Sequence, residues 1–445
     1  MRMIFVGIIG LCLASFGQTR EPEPAVRPNI VMILADDLGW SDVGFNGRRE
    51  WPTPNLDRLA KQGTVFRRWY TGAVTCAPSR AVLMTGKYTI HNGVTANNDD
   101  LPGEEITVAE ALKKLGYTTA LFGKWHHGRA RPGQTNYVHP LDHGFDEFFG
   151  FTEARHAWEH FPTNLWEGRV LKPSLGYTAT LFADRSIDFV RRNRQGPFFL
   201  YLAFTEPHLY VEASGEDLAR FSGRFVEKDP TKPINANYAA MTLDDAGLAK
   251  TTLVVVSSDH GATFEKGNQG ASNYHDSNRP FRGQKRLLWE GGIRVPGAVR
   301  WPGKIPAGKR SDEIVHMMDL MPTFLAAAGS QAEPEWKVDG MNLLPVWMGQ
   351  KKAPERTLFW EWRVEGYNQV AAMRGDFKLV ITGNTAPELY NVVADPAERR
   401  TIFYEYPGLG QELRKGILDW LATETAAAKW GKPKRPSPVS DPGAN

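Results

Sequence analysis

The stretch NIVMILADDLGW, Asn29 to Trp40, is an unbroken apolar run from Ile30 to Ala35 that stops on two carboxylates, Asp36 and Asp37. A short run of this kind, rich in β-branched residues and bounded by polar ones, reads as a strand buried on both faces. That is the habit of a parallel sheet covered by helices. Three further stretches repeat the pattern. YTTALFGKWHHG reaches Phe122 and gives Lys124 and His126, and PFFLYLAFTEPHLY spans Phe198 to Phe204 and gives Glu206 and His208. TTLVVVSSDHG runs Val254 to Val256 and gives Asp259 and His260.

Between these runs lie helical patterns. TPNLDRLAKQG places Leu56, Leu59 and Ala60 on one face and stops at Gly63, and TVAEALKKLG stops at Gly116. Strands alternating with helices predict an α/β fold with a mainly parallel central sheet. Ligand sites in such sheets lie beyond the carboxyl ends of the strands, where these Asp, Lys and His residues fall. One such residue after a strand is ordinarily a turn former or a helix cap. Four strand ends with the same chemistry predict a site.

The chain of 445 residues, 42% hydrophobic and 23% charged, is long enough for a large core and two structural units. Its 53 basic against 50 acidic residues are dispersed, so nothing in the charge points to nucleic acid or an anionic membrane. The N-terminal MRMIFVGIIGLCLASFGQTREPEP has an early arginine, an apolar stretch from Ile4 to Phe16 and then a polar segment, the pattern of a secretory signal peptide over 1–17. That stretch is short for a bilayer span, so no transmembrane anchor is expected. A secreted or periplasmic protein is expected instead. Cys12 would leave with the leader and Cys76 would remain unpaired in an oxidising compartment.

A catalytic domain is expected over 28–352. From about residue 350 the texture changes: TLFWEWRVEGYNQVAAMRGDFKLVITGN reads as antiparallel strands with turns at Gly375–Asp376 and Gly383–Asn384, followed by an amphipathic helix from Pro407. A small α+β subdomain with an antiparallel sheet is predicted over 353–430. The Pro-rich 431–445 is expected to be a disordered tail.

The lone Cys76 sits in TCAPSRAVLMTG. A single cysteine is ordinarily a small buried hydrophobe. Here Pro78 marks a helical first turn, with Thr75 placed to cap it. The backbone N–H groups and dipole of a helix start favour an anion and an ionised thiol, and Arg80 adds a fixed positive charge one turn on. The local physics predicts an oxyanion site around Cys76.

CAPSR followed by LMTG resembles the signature of the type I, formylglycine-dependent sulfatases of the alkaline phosphatase superfamily. PNIVMILADDLGW, GKWHHG, EPH, SSDHG, RGQKRLLWEGGIRVP and HMMDLMPTFLAAAG resemble family segments in family order, over most of the chain from Asn29 to Glu398. The resemblance implies an alkaline-phosphatase-like sandwich. It implies that an enzyme matures Cys76 to formylglycine, whose hydrate is the nucleophile. One of its hydroxyls attacks sulfur and expels the alcohol, leaving a sulfated hemiacetal, and the other then loses its proton and collapses to the aldehyde, ejecting sulfate by C–O cleavage. It implies that Asp36, Asp37, Asp259 and His260 hold one calcium ion; position 260 is commonly Asn in the family, and an imidazole is a softer ligand. It further implies that Arg80, Lys124 and His126 surround the nucleophile, with His126 as base, and that His208 and Lys285 meet the sulfate, with His208 as proton donor.

His127 reads as a packing residue. In EARHAWEHFPTNLW, Arg155, His156, Trp158, His160 and Trp166 are candidate substrate contacts for a sulfated carbohydrate. Rival readings are a phosphodiesterase or phosphonate-ester hydrolase of the same superfamily, or a non-catalytic binder of sulfated glycans with Cys76 unmodified. The segment Met241 to Lys250 is shorter than the long helix the family usually has there.

Overall fold

The computed structural model describes residues 27–128, 138–228, 251–263, 268–364 and 367–425. The expected leader, the segment Met241 to Lys250 and the expected tail lie outside them. Among the described residues the large sheet uses β1 (Asn29–Ala35), β2 (Thr64–Tyr70), β3 (Thr118–Lys124), β4 (Glu147–Phe151), β5 (Asn164–Glu167), β6 (Val170–Pro173), β7 (Phe198–Ala203), β8 (Thr252–Ser258), β9 (Arg294–Val295), β10 (Gly297–Arg300) and β11 (Lys309–His316). Their order is β11-β2-β10-β8-β1-β7-β3-β4-β5-β6, with β9 also on β2. The middle of the sheet, β8-β1-β7-β3-β4, is parallel throughout. Antiparallel β10 and the β5–β6 hairpin extend it on either side.

The apolar runs of the sequence are buried on both faces, as expected. On β1, Ile30, Met32 and Leu34 enter one core with Phe199, Tyr201, Leu253 and Val255. Val31 and Ile33 enter the opposite core with Leu200, Leu202, Val254 and Val256. Each such side chain, fully buried, contributes roughly 1.5–3 kcal/mol. The helices Cys76–Thr85, Val108–Lys114 and Leu320–Ala327 cover the first face. Pro54–Lys61 and Thr178–Arg192 cover the second. The capping box of Thr107 and Glu110 starts Val108–Lys114, and Gly116 follows its end at φ +83°.

A second sheet, β12 (Thr357–Val364), β13 (Tyr367–Arg374), β14 (Phe377–Thr382) and β15 (Glu388–Asn391), is an antiparallel meander. Gly375 turns between β13 and β14 at φ +57°. The helix Pro407–Leu421 lays Leu413 and Ile417 on one face. The other face sends Trp360, Met373 and Tyr390 against Tyr70, Val74 and Val82 of the large domain. At this seam the buried Lys378 Nζ donates to Glu290 Oε1 at 2.8 Å and pairs with Glu398 Oε1 at 2.8 Å. The fold is therefore the α/β body and small α+β unit that the sequence predicts.

Candidate active site

Parallel strands all point their carboxyl ends the same way, so the residues after β1, β3, β7 and β8 meet at one edge. Asp36 and Asp37 follow β1, Asp259 and His260 follow β8, and Glu206 and His208 follow β7. The ends are stitched together by backbone: Asp36 N–H donates to Glu206 O and Asp259 N–H to Ala35 O. On β3, Gly123 has φ +116°, and an added Cβ would lie 1.8 Å from Ala203 O. Only glycine allows that approach, which delivers Lys124 into the site. Asp37 and His126 hold left-handed backbones at φ +64° and +66°, a costly conformation typical of functional sites.

The helix Cys76–Thr85 starts at this edge and ends at the left-handed Gly86. Thr75 does not cap it: its side chain makes no cap bond, and Asn97 Oδ1 instead accepts from Ala77 N–H at 3.2 Å. Cys76 Sγ lies 3.2 Å from His260 Nε2 and 3.5 Å from Asp36 Oδ1. One turn on, Arg80 donates from Nε and Nη2 to Asp259 Oδ2 at 3.1 and 3.0 Å, and from Nη1 to Lys124 O at 2.9 Å. Lys124 Nζ donates to Asp36 Oδ2. Lys285 arrives from a distant loop, because its N–H binds Ala262 O and that of Arg286 binds Val74 O. Its Nζ reaches both Asp37 oxygens at 2.9 and 3.1 Å and His208 Nε2 at 3.2 Å.

The donor set fits a hard divalent cation. Ligand atoms of Asp36, Asp259, His260 and Cys76 lie within 4.8 Å of one another, as do those of Asp36, Asp37, His208 and Cys76. His260 Nδ1 faces the Gly261 carbonyl at 3.0 Å, an oxygen that only accepts. Nδ1 therefore carries one ring hydrogen, and Nε2 faces Asp37 at 3.4 Å and Asp259 at 3.6 Å. Against its burial, Asp259, the Cys76 thiol and Asp37 push His260 up to about 9, so Nε2 is protonated beside these carboxylates and would present its lone pair to a cation only on losing that proton. The charges are crowded. Burial and the Asp36 carboxylate push Asp259 up to about 8. Asp36 itself is held below the usual carboxylate range, since Lys124, His208 and Arg80 overcome its burial. Repulsion between two buried carboxylates is what a bound cation relieves.

Around Cys76 the field is positive. Burial opposes ionisation of the thiol, but Lys124, Lys285 and His260 hold it well below its ordinary value. His126 is pushed down to about 4 by burial and by Lys124, which keeps it neutral and able to accept a proton. The site thus joins a buried thiol at a helix start, an anion-attracting field and a group of donors that could hold a cation.

Comparison with known proteins places the chain in a family. The family model described as Sulfatase matches residues 28–330, and N-sulphoglucosamine sulphohydrolase, C-terminal, matches 282–421. The chain belongs to the sulfatase family. It is 34% identical to N-acetylgalactosamine-6-sulfatase of Mus musculus, over 84% of this chain and 74% of that one. It is 31% identical to steryl-sulfatase of Rattus norvegicus, over 79% and 76%. The solved structure of Ps i-CgsB in complex with k-i-k-neocarrahexaose superposes with a TM-score of 0.81 at 29% identity, covering 91% of this chain and 94% of that one. The phosphonate monoester hydrolase of Agrobacterium radiobacter shares the fold, with a TM-score of 0.62 at 20% identity over 90% and 96%. The protein is thus a sulfatase, an enzyme of sulfate ester hydrolysis.

In this sulfatase the candidate substrate contacts separate into two groups. Trp158 stacks over the His208 ring, centroids 6.4 Å apart at 25°, and meets Tyr210 edge-on. Arg155 is exposed. The others are turned inward: His156 Nε2 bonds Asn164 O, His160 is fully buried, and Trp166 packs in the core at 8% exposure. Buried His127 meets the Trp125 ring edge-on at 4.8 Å, a packing role. Two residues were missed by sequence reasoning. Thr152 follows β4 beside the end of β3, and its buried hydroxyl has no partner among the described residues. EFFGFT carries the same strand-end signal as the other runs, but a threonine does not titrate and draws no notice. Tyr210, 51% exposed beside Trp158, looks in sequence like any loop aromatic. No helix among the described residues is long and apolar enough to cross a membrane.

Proposed function

We propose that this sulfatase releases inorganic sulfate from a sulfated carbohydrate, with a formylglycine derived from Cys76 as nucleophile and calcium held by Asp36, Asp37, Asp259 and His260. The observation that carries the proposal is the placement of Cys76: at a helix start, 3.2 Å from His260 and 3.5 Å from Asp36, within a field set by Arg80, Lys124 and Lys285. When present, the hydrated aldehyde supplies a hydroxyl for attack on sulfur and the cation supplies charge neutralisation. The chain's own groups do the rest. Arg80, Lys124 and Lys285 offset the negative charge of the ester and stabilise charge on the sulfuryl oxygens. His126, neutral at ordinary pH, takes a proton beside position 76. With Nδ1 committed to Leu209 O, His208 acts in its doubly protonated form and gives the Nε2 proton, on the side next to Lys285, to the departing alcohol.

A carbohydrate is favoured by the half-buried Trp158 beside His208, a surface on which a sugar ring can stack. The names of two relatives, an N-acetylgalactosamine-6-sulfatase and a protein bound to a neocarrahexaose, point the same way. Maturation requires a formylglycine-generating partner, and the N-terminal apolar stretch of the sequence supports export to the periplasm or beyond. The deciding experiment measures free sulfate from a panel of sulfated polysaccharides and their oligosaccharides, beside a matched phosphodiester. Sulfate release from a glycan with slower phosphodiester turnover is expected. Faster phosphodiester turnover would favour the hydrolase alternative of the same superfamily.

A further inference from the structure

The peptide that carries His208 is held by a second histidine. His160 Nε2 lies 3.1 Å from the His208 carbonyl oxygen, an atom that only accepts, so Nε2 is the donor. The other nitrogen, Nδ1, lies 3.3 Å from the Thr205 hydroxyl and 3.4 Å from Glu206 Oε1. Glu206 Oε1 also accepts from Thr178 Oγ1 at 2.6 Å, and Oε2 accepts from Thr205 N–H at 3.0 Å. Thr178 closes the ring by donating its N–H to His160 O. His160, Thr178 and Thr205 are fully buried and Glu206 is 4% exposed. A side chain so enclosed, with both nitrogens engaged, is not a substrate contact.

The network fixes His208 at three points. His160 holds its carbonyl, Thr205 O accepts its N–H at 3.1 Å, and its own Nδ1 donates to Leu209 O at 2.9 Å. That last bond leaves Nε2 as the atom facing Lys285. Two residues before His160, Trp158 covers the face of the His208 ring. We propose that His160, braced by Glu206 and Thr178, is a positioning residue that orients His208 for proton transfer to the leaving alcohol. The inference rests on the assignment of His208 as that proton donor.

A proton donor matters for a poor leaving group and hardly at all for a good one. Phenyl sulfate and 4-nitrophenyl sulfate differ by one para substituent and chiefly in leaving-group basicity, and the ratio of their kcat values in one sample is independent of how much of the sample is folded. For His160→Ala the phenyl sulfate kcat should fall by on the order of 10- to 100-fold while 4-nitrophenyl sulfate changes little. KM should be nearly unchanged for both. His160→Gln, whose amide can still donate to the carbonyl, should recover part of the loss. An unaltered ratio in His160→Ala would overturn the proposal, as would equal ratios for the Ala and Gln variants. His208→Ala, measured alongside, separates the two assignments. A normal ratio there removes the donor role itself, whereas a shifted ratio there with a normal one in His160→Ala removes only the positioning role.

Discussion

Arg80 and Asp259 are locked together: Nε and Nη2 of the guanidinium both reach Oδ2 of the carboxylate, at 3.1 and 3.0 Å, with neither side chain exposed. The pair joins the helix that carries Cys76 to the strand end that carries half of the cation cage. Removing the guanidinium leaves a buried carboxylate unpaired beside Asp36, at a cost of ~3–5 kcal/mol. Arg80→Met should therefore lower the denaturation midpoint and abolish turnover. Arg80→Lys keeps the charge without the fork and should lose activity with a smaller loss of stability. Equal stability of parent and Arg80→Met in urea titration would contradict this role.

Cation removal has its own signature. A ligand that binds only the folded chain stabilises it by ~2.7 kcal/mol at a hundredfold excess over its Kd. Chelation of the purified enzyme should lower Tm and remove activity, and added calcium should restore both. If chelator and calcium leave Tm and rate unmoved, Asp36, Asp37, Asp259 and His260 do not form a cation site.

Acid sensitivity follows from buried histidines outside the cage. Burial holds His127 and His316 well below 6.5, with His127 further lowered by His126 and His316 by Arg356. His139 is pushed down to about 4 by burial and Arg169. The unfolded chain binds protons on these rings below pH 6.5 while the folded chain does not until far lower. These rings therefore make stability rise with pH through the window from about 4 to 6.5, against an opposing contribution from the buried carboxyls Asp259, Glu361 and Glu398, which are held up to about 8, 7 and 7. Scanning calorimetry across that range should show Tm climbing. A flat profile would mean that these rings do not outweigh those carboxyls.

The seam between the two sheets depends on Lys378, buried between Glu290 and Glu398. Lys378→Met leaves the buried Glu398 without its cation beside Glu290, which keeps only Arg294 at 3.2 Å, and should cost ~3–5 kcal/mol, read as a lower denaturant midpoint. Glu290 lies five residues beyond Lys285, so a loss of activity larger than the loss of fold would follow from displacement of that loop. An unchanged midpoint would show that the apolar seam alone holds the subdomain.

Much of this arrangement was legible in the residue order. Ile30–Ala35, Phe198–Ala203 and Val254–Val256 announced buried parallel strands because no polar residue interrupts them. The same strand ends announced Asp36, Asp37, Lys124, His208, Asp259 and His260, since parallel strands must bring such ends to one edge. What the order could not carry was direction. His160 and Trp158 share a loop and a chemistry, yet one faces Glu206 inside the protein and the other covers His208 at the rim. The cap of Ala77 came from Asn97, twenty positions away, rather than from adjacent Thr75. The short strands Asn164–Glu167 and Val170–Pro173 carry no apolar run; the first adds to the edge of β4 and the second pairs with the first.

The central claim is that position 76 of the mature enzyme carries an aldehyde. Trypsin releases it on the peptide Trp69–Arg80. Mass spectrometry of that peptide, from protein produced with a formylglycine-generating enzyme and active in sulfate release, is the most direct measurement. The expected mass is that of the peptide with the cysteine CH2SH group replaced by an aldehyde or its hydrate, and Cys76→Ala should be folded and inactive. An intact thiol in fully active protein would contradict the account.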